Sequence, residues 1–159
     1  MSENLMTFTA AVPVEDTSIE LISKLIDEEL NRIVKEANGW ANWYWTNVKV
    51  DREENNVYAR FGTRVRCVNG NFQALWYTNT FFKDSSGKGR TLSTHLSKGK
   101  SFKYTKGTFK NALDFEKDLI FKTEEEYAKL RERYDYLSKL RRAYNTYIKN
   151  VERLNTNLS

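Results

Sequence analysis

The sequence predicts an α+β domain: an N-terminal helix, an antiparallel meander of three to four strands, and a long C-terminal helix. Three observations predict it. Apolar residues recur at spacings of three and four over residues 19–37 and again from Tyr127 onward. Residues 40–96 between them are rich in Trp, Tyr, Val and Thr and alternate in steps of two. The pair Asn69-Gly70 separates two such alternating runs, a strong signal for a two-residue hairpin turn. With 159 residues, 40% of them apolar and 14% aromatic, the chain is expected to form a single domain with one packed core.

Residues 1–16 have no periodic pattern and read as a flexible arm. Thr17, Ser18, Ile19 and Glu20 have capping-box spacing, which satisfies the orphan amides of a first helical turn. Ile19, Ile22, Leu25, Ile26, Leu30, Ile33, Val34 and Ala37 then form one stripe of a helix of about 20 residues. Asn38-Gly39 is its expected stop, since both residues tolerate the left-handed conformation. Strands are expected over 42–50, 57–68, 71–82 and 90–96, with a polar turn at 51–56 and a Ser/Gly loop at 84–89. Residues 97–122 are ambiguous, with short helical pieces at 111–121.

A second capping box, Thr123 to Glu126, is expected to open the last helix. Tyr127, Leu130, Tyr134, Leu137, Tyr144, Ile148 and Val151 follow at heptad spacing, with Arg141 interrupting the seam and Tyr136 and Tyr147 lying off it. About 30 helical residues would extend roughly 45 Å, more than a small sheet can cover. The free end is expected to support a homodimer.

The Asn69-Gly70 turn implies a register. Cys67 should face Phe72, Val65 Ala74, Thr63 Trp76 and Phe61 Thr78, giving one apolar face on which Cys67 is inert filler. The other face then pairs Arg66 with Gln73, Arg64 with Leu75, Gly62 with Tyr77 and Arg60 with Asn79. Trp40, Trp43 and Trp45 are expected in the core where the first helix meets the sheet.

Composition excludes several classes. One Cys and one His build neither an internal disulfide nor a conventional zinc site. No apolar run reaches the length of a membrane span, and the N-terminus lacks a secretory pattern, so a cytoplasmic protein without membrane contact is expected. Ser86-Gly87-Lys88-Gly89 lacks the upstream Gly and the Lys-Ser/Thr ending of a phosphate loop. Asp114, Glu116 and Asp118 could hold magnesium in a nuclease, but acidic residues at a helix start explain them more simply. His95 has no His or Cys near it, and an exposed polar role is expected. No catalytic residue, metal or cofactor is assigned, and the protein is expected not to be an enzyme.

Charge is the sharpest compositional feature. Residues 83–110 contain eight basic side chains against Asp84 alone, a net +7, while the rest of the chain sums to −2. Phe102, Tyr104 and Phe109 interleave with the lysines. Lysines attract phosphate without reading sequence, and exposed rings can stack on bases. The competing reading is a solvated loop anchored by its aromatics. Arg60, Arg64 and Arg66 with Gln73 and Asn79 form a second feature, because these side chains reach base edges and a strand ribbon fits the major groove. Against this, Tyr58, Leu75, Tyr77 and Phe81 share the face, and a helix could cover it. The DNA-binding candidates are Arg60, Arg64, Arg66, Gln73, Lys88, Arg90, Lys98, Lys100, Lys103, Tyr104, Lys106 and Lys110. Lys139, Arg141 and Arg142 could add phosphate contacts, though a solvated helix face is the commoner role of such a run.

The run Lys98-Gly99-Lys100-Ser101-Phe102-Lys103-Tyr104, then Phe109, Asp114-Phe115-Glu116, Glu126-Tyr127-Ala128 and Leu130-Arg131 resembles the MobI-type conjugative-transfer proteins. The stretch Trp43-Tyr44-Trp45 is similar too, so the likeness spans about 42–142 and leaves the first helix outside. The resemblance implies an auxiliary factor of a mobile genetic element, acting at the transfer origin with a relaxase or other transfer protein. It implies no catalytic residues. The expected function is therefore a DNA-binding accessory protein, with duplex DNA as ligand. The alternative is a phage or mobile-element inhibitor that sets the same basic surface against an acidic groove of a host nucleic-acid enzyme.

Overall fold

The computed structural model describes residues 18–157. It runs α1 (Ser18–Asn55), β1 (Phe61–Val68), β2 (Asn71–Lys83), β3 (Gly89–His95), a 3-10 turn (Lys106–Phe109) and α2 (Asp114–Thr156). The strands form one antiparallel sheet in the order β1-β2-β3. The α+β class and the sequence of helix, meander and long helix are as expected. The expected arm and Thr17 of the first capping box lie outside the described residues.

The first correction concerns α1, which has 38 residues. Residues 42–50, expected as a strand, are helical, and Asn38-Gly39 does not stop the helix. The buried positions Ile26, Ile33, Ala37, Ala41, Tyr44 and Val48 carry the three-and-four spacing straight through the tryptophan-rich stretch. Trp, Tyr and Val are only a few tenths of a kcal/mol poorer helix formers than Leu. Burying a large side chain outweighs that by about 1.5–3 kcal/mol each. Asn38 donates from Nδ2 to Val34 O at 2.8 Å, which satisfies it inside the helix. Trp40 and Trp43 pack against the core, whereas Trp45 stays partly exposed.

The aromatic stretch also protects a sheet edge. Phe61 O accepts from the Tyr44 hydroxyl at 3.1 Å, and Thr63 O accepts from Trp45 Nε1 at 3.0 Å. Phe61 N donates to Glu116 Oε1 at 2.9 Å. These groups point away from β2, so side chains of both helices occupy the edge of β1 that another chain could otherwise extend.

The hairpin has the expected register at every pair, from Phe61 opposite Thr78 to Val68 opposite Asn71. Asn69 and Gly70 both take positive φ, 50° and 73°, as a two-residue turn of this hand requires. The strand expected to begin at 57 begins at Phe61. Cys67 falls on the inner face by alternation but is exposed, because the covering thins at the strand's end, where Val68 is exposed too. From Thr80 to Lys83, β2 has β3 as its only strand neighbour. A two-stranded ribbon therefore extends beyond β1.

The second correction concerns α2, which starts at Asp114 rather than at Thr123 and has 43 residues. Its first turn is satisfied by Glu116, whose Oε2 accepts from Leu113 N at 2.9 Å. Thr123 and Glu124 lie buried inside the helix instead of capping it. The two helices run antiparallel. The Lys122 ammonium stands 4.9 Å over the Trp43 ring, Arg133 pairs with Glu36 and Glu29, and Arg141 pairs with Asp27. Arg141 interrupts the apolar seam because it reaches across to α1.

Trp76 is the centre of the core, with Tyr44, Phe109 and Tyr127 at ring distances of 5.0, 5.4 and 6.0 Å. Beside it lies a buried ion pair. Glu124 is 1% exposed and Arg131 7%. Glu124 accepts from Trp76 Nε1 at 2.7 Å and from Tyr104 N at 2.8 Å. Arg131 bonds both carboxylate oxygens, Phe102 O, and Ala74 O twice, which occupies all of its N–H groups. One arginine thus ties α2 to β2 and to the segment after β3.

Candidate nucleic-acid interface

Both helices pack on the Trp76 side of the sheet. Alternation puts Gly62, Arg64 and Arg66 of β1, Gln73, Leu75, Tyr77, Asn79 and Phe81 of β2, and Thr91, Ser93 and His95 of β3 on the other side. The C-terminal end of α1 reaches this face only at Asn79 and Phe81, and no helix among the described residues covers Arg64, Arg66 or Gln73.

Its centre is built on a glycine. A Cβ at Gly62 would stand 2.5 Å from the Tyr77 ring, so the tyrosine lies flat across the neighbouring strand only because Gly62 has no side chain. The Arg64 guanidinium sits 5.6 Å over that ring, and the His95 ring meets it edge-on at 6.3 Å. Arg64 donates to His95 Nε2, since a guanidinium has no acceptor of its own. Burial raises the Tyr77 phenol pKa, with Arg64 opposing, so the hydroxyl stays protonated at neutral pH. Arg66 Nε donates to Gln73 Oε1 at 2.6 Å, and Ser93 Oγ donates to Asn79 Oδ1 at 2.9 Å. Arg66 with Gln73 and Arg64 thus stand in adjacent outward rungs with donors left for a ligand, and Asn79 lies three outward positions further along β2, opposite Ser93.

The ribbon tip is preorganised by Asp84. Its Oδ1 accepts from Ser86 N, Ser86 Oγ and Lys88 N at 3.0, 2.6 and 3.0 Å, and its Oδ2 accepts from Arg90 Nε at 2.9 Å. The Ser86 and Arg90 bonds lower its pKa to about 2. Gly87 takes φ +79°, which the tight turn needs. Lys83, Lys88 and Arg90 are exposed here, though Arg90 shares its charge with Asp84.

The remaining candidates separate. Tyr104 is 2% exposed, its hydroxyl donates to Leu96 O, and Arg131 lies over its ring at 5.2 Å. It belongs to the core and offers no surface for a base, a correction to the expected role. Arg60 precedes the strand and donates to Asn111 O at 3.1 Å, which ties down a neighbouring segment. Lys98 is partly buried and donates to Ser101 O; burial, then Arg131, lowers its pKa. Lys100, Lys103, Lys106 and Lys110 are exposed. Lys103 and Lys106 border a recess with Phe121 and Lys122 of α2, on the helix side of the sheet. The +7 segment is therefore divided between the ribbon tip and the helix side, apart from the arginines of the outer face.

Asp114, Glu116 and Asp118 do not converge. Asp114 faces solvent beside Lys117, Glu116 is buried on backbone amides, and no cluster of His, Cys, Asp or Glu suited to a metal exists among the described residues. Sequence reasoning misses His95 as a part of the outer face, because the five-residue loop 84–88 does not announce the register that sets it opposite Tyr77. No helix among the described residues is long and apolar enough to cross a membrane.

No curated protein and no solved structure matches the chain. A family model described as MobI protein matches residues 33–145, which extends the likeness back into α1. Of the residues that carry the resemblance, Tyr44, Tyr104, Phe109, Glu116, Tyr127, Leu130 and Arg131 are buried, whereas Gly99 to Lys103 are exposed. Matched over most of its length, the chain belongs to the MobI family of mobilisation-related proteins.

Proposed function

We propose that the chain is a non-enzymatic, DNA-binding accessory protein of a mobile genetic element. It acts in the cytoplasm at the transfer origin, beside a relaxase or another transfer protein. One observation carries the reading. Arg64, Arg66 and Gln73 stand together at one end of an open sheet face, Asn79 lies three outward positions further along β2, and beyond it projects a ribbon bearing Lys83, Lys88 and Arg90. The two-stranded end of the β1–β2 hairpin, which bears Arg64, Arg66 and Gln73, fits the major groove, and these side chains make the bidentate contacts that distinguish bases. Lys100, Lys103, Lys106 and Lys110 add phosphate contacts that set register without reading sequence. Beyond the sheet the helix pair is bare and exposes Leu21, Ile22 and Leu25 of α1 and Leu140, Tyr147 and Leu154 of α2. A second copy or the transfer partner docks there in this reading.

The test is salt-titrated binding to duplexes carrying the element's transfer origin or a scrambled sequence. The double variant Arg64→Ala/Arg66→Ala should lose most of the preference for the origin, about 1–3 kcal/mol for each base contact. A parent protein that binds neither duplex would overturn the proposal.

A further inference from the structure

We infer that the groove at the base of the β2–β3 ribbon takes unpaired nucleotides, so that the protein holds a single-stranded DNA segment. The inference rests on the DNA-binding reading and adds to it a ligand form and a place. Two adjoining recesses of about 340 and 590 Å³ share Tyr58 and Phe81. Lys49 and Arg52 of α1 wall the first, and Lys83 and Arg90 of the ribbon wall the second. The two rings are 63% and 50% exposed, with centroids 5.3 Å apart and planes tilted by 43°. The Arg52 guanidinium lies 5.2 Å over the Tyr58 ring.

No carboxylate lines either recess. Asp84 engages Arg90 at one end, while Lys49 and Lys83 have no ion pair among the described residues. Aromatic planes within a basic rim match a flat base attached to a phosphate. An acidic peptide would use the lysines and leave the rings in water, and an uncharged apolar partner would bury the rings and strand the lysines. A nucleotide uses both. The bases of a duplex are stacked on both sides, so only unpaired ones reach the rings. Phe81 ends the outward row that begins at Gln73, about 27 Å along the strand. A duplex lying on Arg64 and Arg66 can therefore continue into an unpaired segment at Phe81.

The test compares a 12-nucleotide single strand containing 2-aminopurine, a blunt duplex and a fork, each titrated with the full chain. In the parent, aminopurine fluorescence should be quenched on binding. Tyr58→Ala/Phe81→Ala should bind the single strand and fork about tenfold or more weakly and the blunt duplex unchanged. Both rings are at the surface, and a matched urea midpoint confirms that the variant is folded. Phe81→Leu keeps the apolar volume without the ring and should resemble the loss, whereas Phe81→Tyr keeps an aromatic ring and should bind as the parent does. Unchanged single-strand binding in the double variant, with duplex binding still dependent on Arg64 and Arg66, overturns this inference alone. Parent-like binding by Phe81→Leu overturns base stacking in favour of an apolar, protein-type contact. A parent that binds none of the three ligands overturns both readings.

Discussion

Two parts of the molecule are made from the same kinds of residue and use them in opposite ways. Around Trp76, Arg131 lies over Tyr104 and Tyr127 with every N–H bonded and its charge matched by Glu124. On the outer face Arg64 lies over Tyr77 and Arg66 bonds Gln73, both exposed and without a carboxylate. A charge inside the protein must have its counter-ion and acceptors supplied by the fold, because desolvation is otherwise too unfavourable. A charge that the fold leaves without a counter-ion, at the surface, is available to a ligand. Arginine over an aromatic ring is thus a lock in one place and a candidate reading head in the other.

The strongest way to break this contrast is Arg131→Ala. It strands the Glu124 carboxylate and two backbone carbonyls in the core, and should destabilise the protein by about 3–5 kcal/mol in urea denaturation. Arg64→Ala should stay within about 0.5 kcal/mol of the parent in the same assay. Equal losses at the two sites would mean that the outer arginines are structural as well.

Replacing Lys100, Lys103, Lys106 and Lys110 with Ala should likewise spare the fold. It should weaken DNA binding similarly on all sequences and flatten the dependence of log affinity on log salt by about 0.9 for each phosphate no longer neutralised. An unchanged slope would confine binding to the outer face and ribbon. Lys98 is left in place because its ammonium is engaged with Ser101.

Gly39→Ala sharpens the comparison from the side of stability. The position is exposed within α1, and no atom lies within 4 Å of where a Cβ would stand. The change should raise stability by about 1 kcal/mol and leave DNA binding as it was.

The smallest effect expected is one of pH at the ribbon tip. The hydrogen bonds to Asp84 lower its pKa to about 2 from an ordinary value of 3.8. Its contribution is therefore complete above the ordinary value and is lost as pH falls through about 2. Amide exchange at Ser86 and Lys88 should accelerate in that window. Glu116 has the opposite sign: burial raises its pKa, so ionising it opposes folding as pH rises above its ordinary 4.5.

What could be read from the chain alone was local. Asn69-Gly70 dictates a turn with two positive φ angles, and that turn sets the alternation of both strands, so every β1 pair and the sidedness of the hairpin followed from sequence. The three-and-four stripes placed both helices, and the concentration of charge in 83–110 needed only counting. The tertiary structure decided where the helices end and which charged and aromatic groups face water. Residues 40–50 satisfy a strand period and a helical one about equally well in a short window, and burial of Tyr44 and Val48 settled it. Thr123 to Glu126 has the spelling of a helix start, yet Glu124 was needed by Trp76, Tyr104 and Arg131. Tyr104 and Phe81 have similar neighbours in sequence and opposite exposures. Contacts between residues 48 or 57 positions apart appear in no local pattern, so the division between buried lock and open surface arises only when the elements pack.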